Sequence, residues 1–218
     1  MTADFEIVPQ KSFSDEETVQ AKSYWSQANT RFYKKKQVWS EFIAQRILAF
    51  DPVSVFEFGC NVGKNLLELQ ERDDRVHISG VDINQTAIEY GRSVGLNVAV
   101  GDETVLNLFP GGCFDVTFTV SVIDHLPYPG PIVANLARMT RKAVLLMEPW
   151  LGEEGKVVRN RDRKTHEMID TTPFSYSWNY PAIVEEYLPE WSLEREDYKI
   201  ETNIGRYYQL YTLTPKSK

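Results

Sequence analysis

The run Val55-Phe56-Glu57-Phe58-Gly59-Cys60-Asn61-Val62-Gly63-Lys64-Asn65 joins a short apolar stretch carrying one acid to a glycine-punctuated turn, and Leu66-Leu67-Glu68-Leu69 continues it with helical character. Glycine admits backbone conformations that other residues resist and lets a ligand approach the main chain, while the first amides of a helix have no intrahelical acceptor. The stretch is therefore a candidate loop for a nucleotide cofactor. Asn61 stands where the dinucleotide pattern G-x-G-x-x-G requires its second glycine, which disfavours NAD or FAD. Further acids close two other apolar runs, Asp82 after Val81 and the pair Asp102-Glu103 after Gly101. Ser121, Val122, Asp124 and His125 follow a third, and His125 carries the one side chain there whose ordinary pKa suits proton exchange near neutrality.

These residues need elements to position them. Ser14 and Glu17 have the spacing of a capping box, which predicts a helix carrying Val19, Tyr24 and Trp25. Over 36–50, Trp39, Phe42, Ile43, Ile47 and Phe50 recur at three- and four-residue intervals, as expected of a helix with one face on a sheet. Strands are predicted at 53–58, 76–82, 97–100, 114–120 and 143–147, with helices following Asn65, following Asn84 as a cap, and around 132–139. Alternation of this kind implies right-handed parallel crossovers and a ligand crevice beyond the carboxyl ends of the strands. Glu57, Asp82, Asp102 and Ser121 all fall at such ends. After Glu148-Pro149-Trp150, residues 152–172 form a polar segment of a length suited to a lid or insertion. A short helix at 181–188 and two late strands at 193–200 and 207–214, antiparallel in character, complete the pattern. The chain thus reads as one α/β domain: an N-terminal helical cap region at 1–52, a core at 53–150, and a substrate-side insertion with C-terminal strands at 151–218.

With 218 residues, 42% hydrophobic and 25% charged, the chain is long enough for one substantial core and has the composition of an ordinary globular protein. The formal net charge of −7 argues against general affinity for nucleic acid, and the basic runs Lys34-Lys35-Lys36 and 159–164 are short enough to be solvated surface. Cys60 and Cys113 are the two cysteines; they have no metal-ligand spacing and suit a reducing compartment. No metal site is expected. The first residues lack a basic segment followed by an apolar run, and no apolar stretch approaches membrane-spanning length, so the expected location is cytoplasmic.

The segment around the turn closely resembles motif I of the class I S-adenosylmethionine-dependent methyltransferases, whose strand-end acid and Gly-Cys-x-x-Gly-x-Asn turn are matched by Glu57, Gly59, Cys60, Gly63 and Asn65. The resemblance extends over roughly 53–150. It implies a doubly wound Rossmann-like domain with a mostly parallel seven-stranded sheet, a late antiparallel strand and S-adenosyl-L-methionine as cofactor. Gly59, Cys60 and Asn61 would approach the methionine part, with Glu57 holding the turn or the ligand's ammonium. Asp82, 19 residues beyond Gly63, is placed to receive the ribose diol. Asp102 resembles the acid that accepts from the adenine amino group, with Ile83 and Glu103 bordering the base. Ser121 and Val122 would lie near the transferable methyl, and His125 is the candidate general base for methyl transfer to a hydroxyl. His125 could equally order its loop, and Asp124 is the second choice.

Aromatic residues flank the core, Tyr24, Trp25 and Tyr33 before it and Phe174, Tyr176, Trp178 and Tyr180 after it. Trp25, Tyr176 and Trp178 are candidate walls for an acceptor, and Arg31 a candidate partner for an anionic group, although core packing or a surface ion pair explains each equally well. His166 lies in the polar segment and reads as surface. The expected activity is methylation of a polar small molecule, including O-methylation of a sugar or sugar nucleotide. Two alternatives stand beside it: a non-catalytic cofactor-binding partner subunit and, failing at Asn61, a nicotinamide-dependent oxidoreductase.

Overall fold

Apolar runs in the central strands decide how this chain folds, because their sheet is covered on both faces. The computed structural model describes residues 5–9, 13–35, 37–159, 174–198 and 207–217. In chain order these form β1 (Phe5–Val8), α1 (Asp15–Ser26), α2 (Ser40–Leu48), β2 (Ser54–Phe58), α3 (Lys64–Arg72), β3 (His77–Asp82), α4 (Gln85–Ser93) and β4 (Val98–Val100). Then follow β5 (Phe114–Val120), α5 (Pro129–Met139), β6 (Thr140–Pro149), β7 (Gly155–Arg159), β8 (Tyr176–Ser177), α6 (Tyr180–Tyr187), β9 (Trp191–Asp197) and β10 (Tyr208–Pro215).

Val55 of β2 and Ala143, Leu145 and Met147 of β6 join Ile43 and Ile47 of α2, Leu66 and Leu69 of α3 and Ile88 of α4 in one buried cluster. Their sequence neighbours Phe56, Phe58, Val144 and Leu146 point to the other face, where Val133 and Leu136 of α5 and Tyr180 and Val184 of α6 cover them. Each fully buried aliphatic or aromatic side chain contributes about 1.5–3 kcal/mol relative to exposure, so the alternation selects this register strongly.

The seven-stranded sheet has the order β4-β3-β2-β5-β6-β10-β9. Its first five strands run parallel, and β10 runs antiparallel to both neighbours. From β2 the chain winds outward through β3 and β4, then returns to lay β5 on the other side of β2. That switch opens a crevice at the carboxyl ends of β2 and β5. The late pair is antiparallel, as the sequence predicts.

The N-terminal region differs from an all-helical cap. β1 is a strand, paired antiparallel with β7, which pairs in turn with β8 in a separate three-stranded sheet. The alternation in Phe5-Glu6-Ile7-Val8 is too short to be decisive without its partner, and that partner lies about 150 residues away in sequence. The described start of the polar segment is accordingly strand β7, while residues 160–173, including His166 and the basic positions 160–164, lie outside the described residues. α1 begins where its capping box predicts: Ser14 Oγ accepts from Glu17 N at 3.1 Å, and Glu17 Oε2 accepts from Ser14 N at 3.0 Å.

Candidate active site

The turn after β2 is strained into its shape at three consecutive odd positions, Gly59 (φ +73°), Asn61 (φ +47°) and Gly63 (φ +79°). An added Cβ at Gly59 would stand 2.3 Å from Val122 Cγ2, and one at Gly63 would stand 2.1 Å from Leu96 Cδ1. Both glycines are thus demanded by the backbone and its protein neighbours, independently of any ligand. Asp82 ties the turn to the next crossover, since Oδ2 accepts from Asn61 N and Oδ1 from Asn84 N, each at 2.8 Å. Asn61, at the position of the missing glycine, therefore directs its amide to Asp82.

Beneath the turn Glu57 is buried. Its Oε1 accepts from Asn65 Nδ2 at 2.7 Å, and Asn65 Oδ1 accepts from Ser40 Oγ at 2.8 Å, so α2, β2 and α3 share one polar chain. Oε2 has no hydrogen-bond partner among the described residues. Burial pushes the Glu57 carboxyl well above the usual range, opposed by the Asn65 bond and reinforced by the charge on Asp82. Burial likewise raises the Cys60 thiol, helped by Glu57 and Asp82, which keeps it neutral and unsuited to nucleophilic attack.

These groups face a cavity of about 320 Å³ at the carboxyl edge of the sheet, within the range of small-ligand sites. Glu57, Gly59, Cys60, Asn61, Asn65, Asp82, Ile83, Asp102, Glu103, Ser121, Val122 and His125 line it, as does Trp25 of α1. Lys22, Tyr33, Gln37, Trp39, Lys64 and Tyr208 line it too. α1 is fastened at the site through Lys22, and the chain just beyond its end through Ala28. Lys22 Nζ lies 2.7 Å from both Asp102 Oδ2 and Glu103 Oε1, and Asn84 Nδ2 donates to Ala28 O at 2.9 Å. Asp102 also receives Thr104 N at 3.0 Å on Oδ1. Burial opposes ionisation of Asp102, but the bonds from Lys22 and Thr104 prevail and hold its carboxyl below the usual range.

The opposite wall is the loop after β5. Ser121 adopts φ +52°, unusual for a residue with a side chain. Tyr208 of β10 and Ser121 Oγ are 2.7 Å apart, and Ser121 Oγ donates to Asp124 Oδ1 at 3.3 Å. The His125 ring stacks on Trp25 with centroids 4.0 Å apart. Its Nδ1 is 3.1 Å from Phe174 O, which makes Nδ1 a donor, and its Nε2 is 3.6 Å from Asp124 Oδ1. Burial raises the Tyr33 phenol, with the charges of Asp124 and Asp82 adding to it.

Of the residues singled out by sequence, Tyr176 and Trp178 stand outside the cavity. They are buried and stacked at 5.2 Å, and Trp178 Nε1 donates to Ile123 O and Leu126 O at 3.2 Å each, clamping the loop from behind. Arg31 is exposed on a short 3-10 turn and does not line the cavity. Gly63 shapes the turn without lining the cavity. Sequence reasoning missed Lys22, Lys64 and Trp39, and also Tyr208, which reaches the site because β10 inserts between β6 and β9. It missed Glu148 too, a buried acid at the end of β6, although an acid after five apolar residues was the available signal.

A doubly wound sheet with acids at its strand ends and a crevice at the switch point is an arrangement suited to a nucleoside ligand. Residues 56–147 match the family described as Methyltransferase domain. No curated protein matches the chain. Among solved structures, the plantazolicin methyltransferase BamL, in complex with a triazolic desmethylPZN analog and SAH, is 13% identical with a TM-score of 0.67, over 93% of this chain and 96% of that one. The 1,6-didemethyltoxoflavin-N1-methyltransferase of Burkholderia thailandensis, with bound 1,6-didemethyltoxoflavin and S-adenosylhomocysteine, is 12% identical with a TM-score of 0.66, over 98% and 95%. The N-terminal domain of EvdMO1, in the presence of SAH and D-fucose, is 12% identical with a TM-score of 0.59, over 84% and 85%. Over residues 56–147 the chain is similar to a methyltransferase domain, and these three structures share its fold.

Proposed function

We propose that this enzyme methylates a hydroxyl of a polar small molecule, a sugar or sugar nucleotide being the favoured class. The observation that carries the reading is the lining added by the N-terminal residues: Lys22, Trp25, Tyr33 and Trp39 border the cavity, and aromatic faces beside a cation suit a compact polar acceptor. The D-fucose present with the EvdMO1 domain supports a sugar by analogy of fold.

The donor set fits S-adenosylmethionine. The unpartnered Glu57 Oε2 would accept from its ammonium, Asp82 would receive the ribose diol on the lone pairs left by Asn61 and Asn84, and Ile83 and Glu103 would border the adenine. Asp102 would accept from the adenine amino group in competition with Lys22. When bound, the cofactor would supply an electrophilic methyl on a cationic sulfur. Trp25, Tyr33 and Trp39 would help to exclude water and position the acceptor. His125 Nε2 receives the hydroxyl proton, and the Asp124 carboxylate nearby favours the resulting imidazolium.

Transfer of labelled methyl from S-adenosylmethionine to a panel of neutral sugars, sugar nucleotides and hydroxylated aromatics tests the proposal. Label in none of them, with S-adenosylhomocysteine still bound in calorimetry, would leave a cofactor-binding partner subunit in its place. For His125→Ala we expect turnover lower by roughly 10²–10⁴-fold with cofactor affinity unchanged within about threefold; parallel modest losses in both would reduce His125 to a loop residue.

A further inference from the structure

The loop after β5 is held from below by an acid that no step above uses. Glu148 ends the apolar run of β6 and is fully buried. Its Oε1 accepts from Thr119 Oγ1 at 2.7 Å, from Val122 N at 3.2 Å and from Ile123 N at 3.3 Å, and its Oε2 accepts from Asp124 N at 3.2 Å. Three successive amides at the start of the 3-10 turn Ile123–His125, which have no acceptor within the turn, therefore converge on one side chain. We propose that Glu148 is a positioning residue for methyl transfer: it fixes residues 121–125 against the cavity, and with them Ser121, Val122 and His125. This rests on the reading that the loop faces the transferable methyl.

The surroundings make the anchor sensitive to charge. Asp124 is also fully buried and lies in the same turn, with His125 beside it. The Tyr180 hydroxyl of α6, buried without a hydrogen-bond partner among the described residues, is raised by burial and by the charges of Glu148 and Asp124, and Tyr211 of β10 also feels the Glu148 charge. Burial, together with the charge on Asp124, raises Glu148 to about 8. Because Oε1 already receives three donors, the proton of the neutral acid belongs on Oε2. Ionisation of Glu148 places a further charge in a dry cluster and weakens the hold on the loop.

The test uses the full chain without acceptor. Amide exchange at Val122, Ile123 and Asp124 is read by NMR, and S-adenosylhomocysteine binding by calorimetry at pH 7 and 9. Glu148→Leu removes all four bonds, so exchange at the three amides should quicken at least tenfold and affinity should fall at least tenfold. Glu148→Gln keeps the Oε1 acceptor and cannot ionise. Its affinity at pH 7 should stay within about threefold of the unmodified protein, and it should lose less affinity between pH 7 and 9 than that protein, which we expect to weaken at least fivefold. Thr119→Val, which removes one donor, gives a milder increase in exchange and serves if Glu148→Leu does not fold. Unchanged exchange and affinity in a folded Glu148→Leu protein, or equal pH dependence with and without Glu148→Gln, would overturn the proposal. Failure of the unmodified protein to bind S-adenosylhomocysteine, with exchange still responding to Glu148→Leu, would instead overturn the cofactor assignment and keep the anchor.

Discussion

Asp82 shows how a ligand-facing acid and a structural one can be the same residue. Its carboxylate receives two backbone amides, Asn61 N and Asn84 N, at 2.8 Å each. Hydrogen bonds to a charged group are worth about 1.5–3 kcal/mol each, so Asp82→Ala removes roughly 3–6 kcal/mol, a large share of the about 5–15 kcal/mol that holds a domain together. Asp82→Ala is therefore a folding mutation as well as a binding one. Asp82→Asn is the discriminating change, because it keeps one acceptor and turns the other into a donor facing an amide. It should lower stability by about 2–3 kcal/mol in urea denaturation. It should also weaken S-adenosylhomocysteine binding by roughly 10–100-fold in calorimetry, since one of two diol bonds is lost. Wild-type affinity in Asp82→Asn would refute the diol role. An unchanged denaturation midpoint in Asp82→Ala would refute the claim that this carboxylate supports the turn.

Stability should also depend on pH through Glu148. Its pKa in the folded chain is raised from 4.5 to about 8, so its contribution is complete below about 4.5 and is lost as pH rises through about 8. Glu148→Gln should flatten melting temperature between pH 6 and 9, and an equally steep decline in that variant would exclude Glu148 as its source. Lys22→Met should cost less than about 1 kcal/mol, as for other partly exposed ion pairs, yet speed S-adenosylhomocysteine dissociation several-fold in stopped flow because α1 loses its hold on Asp102 and Glu103. An unaltered off-rate would mean that α1 does not gate the site. Gly63→Ala places a Cβ against Leu96 at φ +79°, a backbone conformation that L side chains resist, and thermal melting should show a loss of about 1–2 kcal/mol.

The apolar runs of β2, β5 and β6 and the spacing of Glu57, Gly59, Asp82 and Asp102 determined the wound core and the cofactor edge, because backbone periodicity and turn chemistry are local properties that sequence order records. The capping box at Ser14 and the Asn84 cap were legible for the same reason. Tertiary structure alone decided what closes over that edge. β1 finds β7 and Lys22 finds Asp102 across long separations, and Tyr208 arrives on a strand inserted between two others. Tyr176 and Trp178, aromatic residues equally able to line a pocket or a core, were drawn into the core because covering that face of the sheet excludes more water than leaving them exposed. Glu148 acquired its partners in the same way: an acid at the end of an apolar run announces a strand end, but only the path of the neighbouring loop brings three amides to its oxygens.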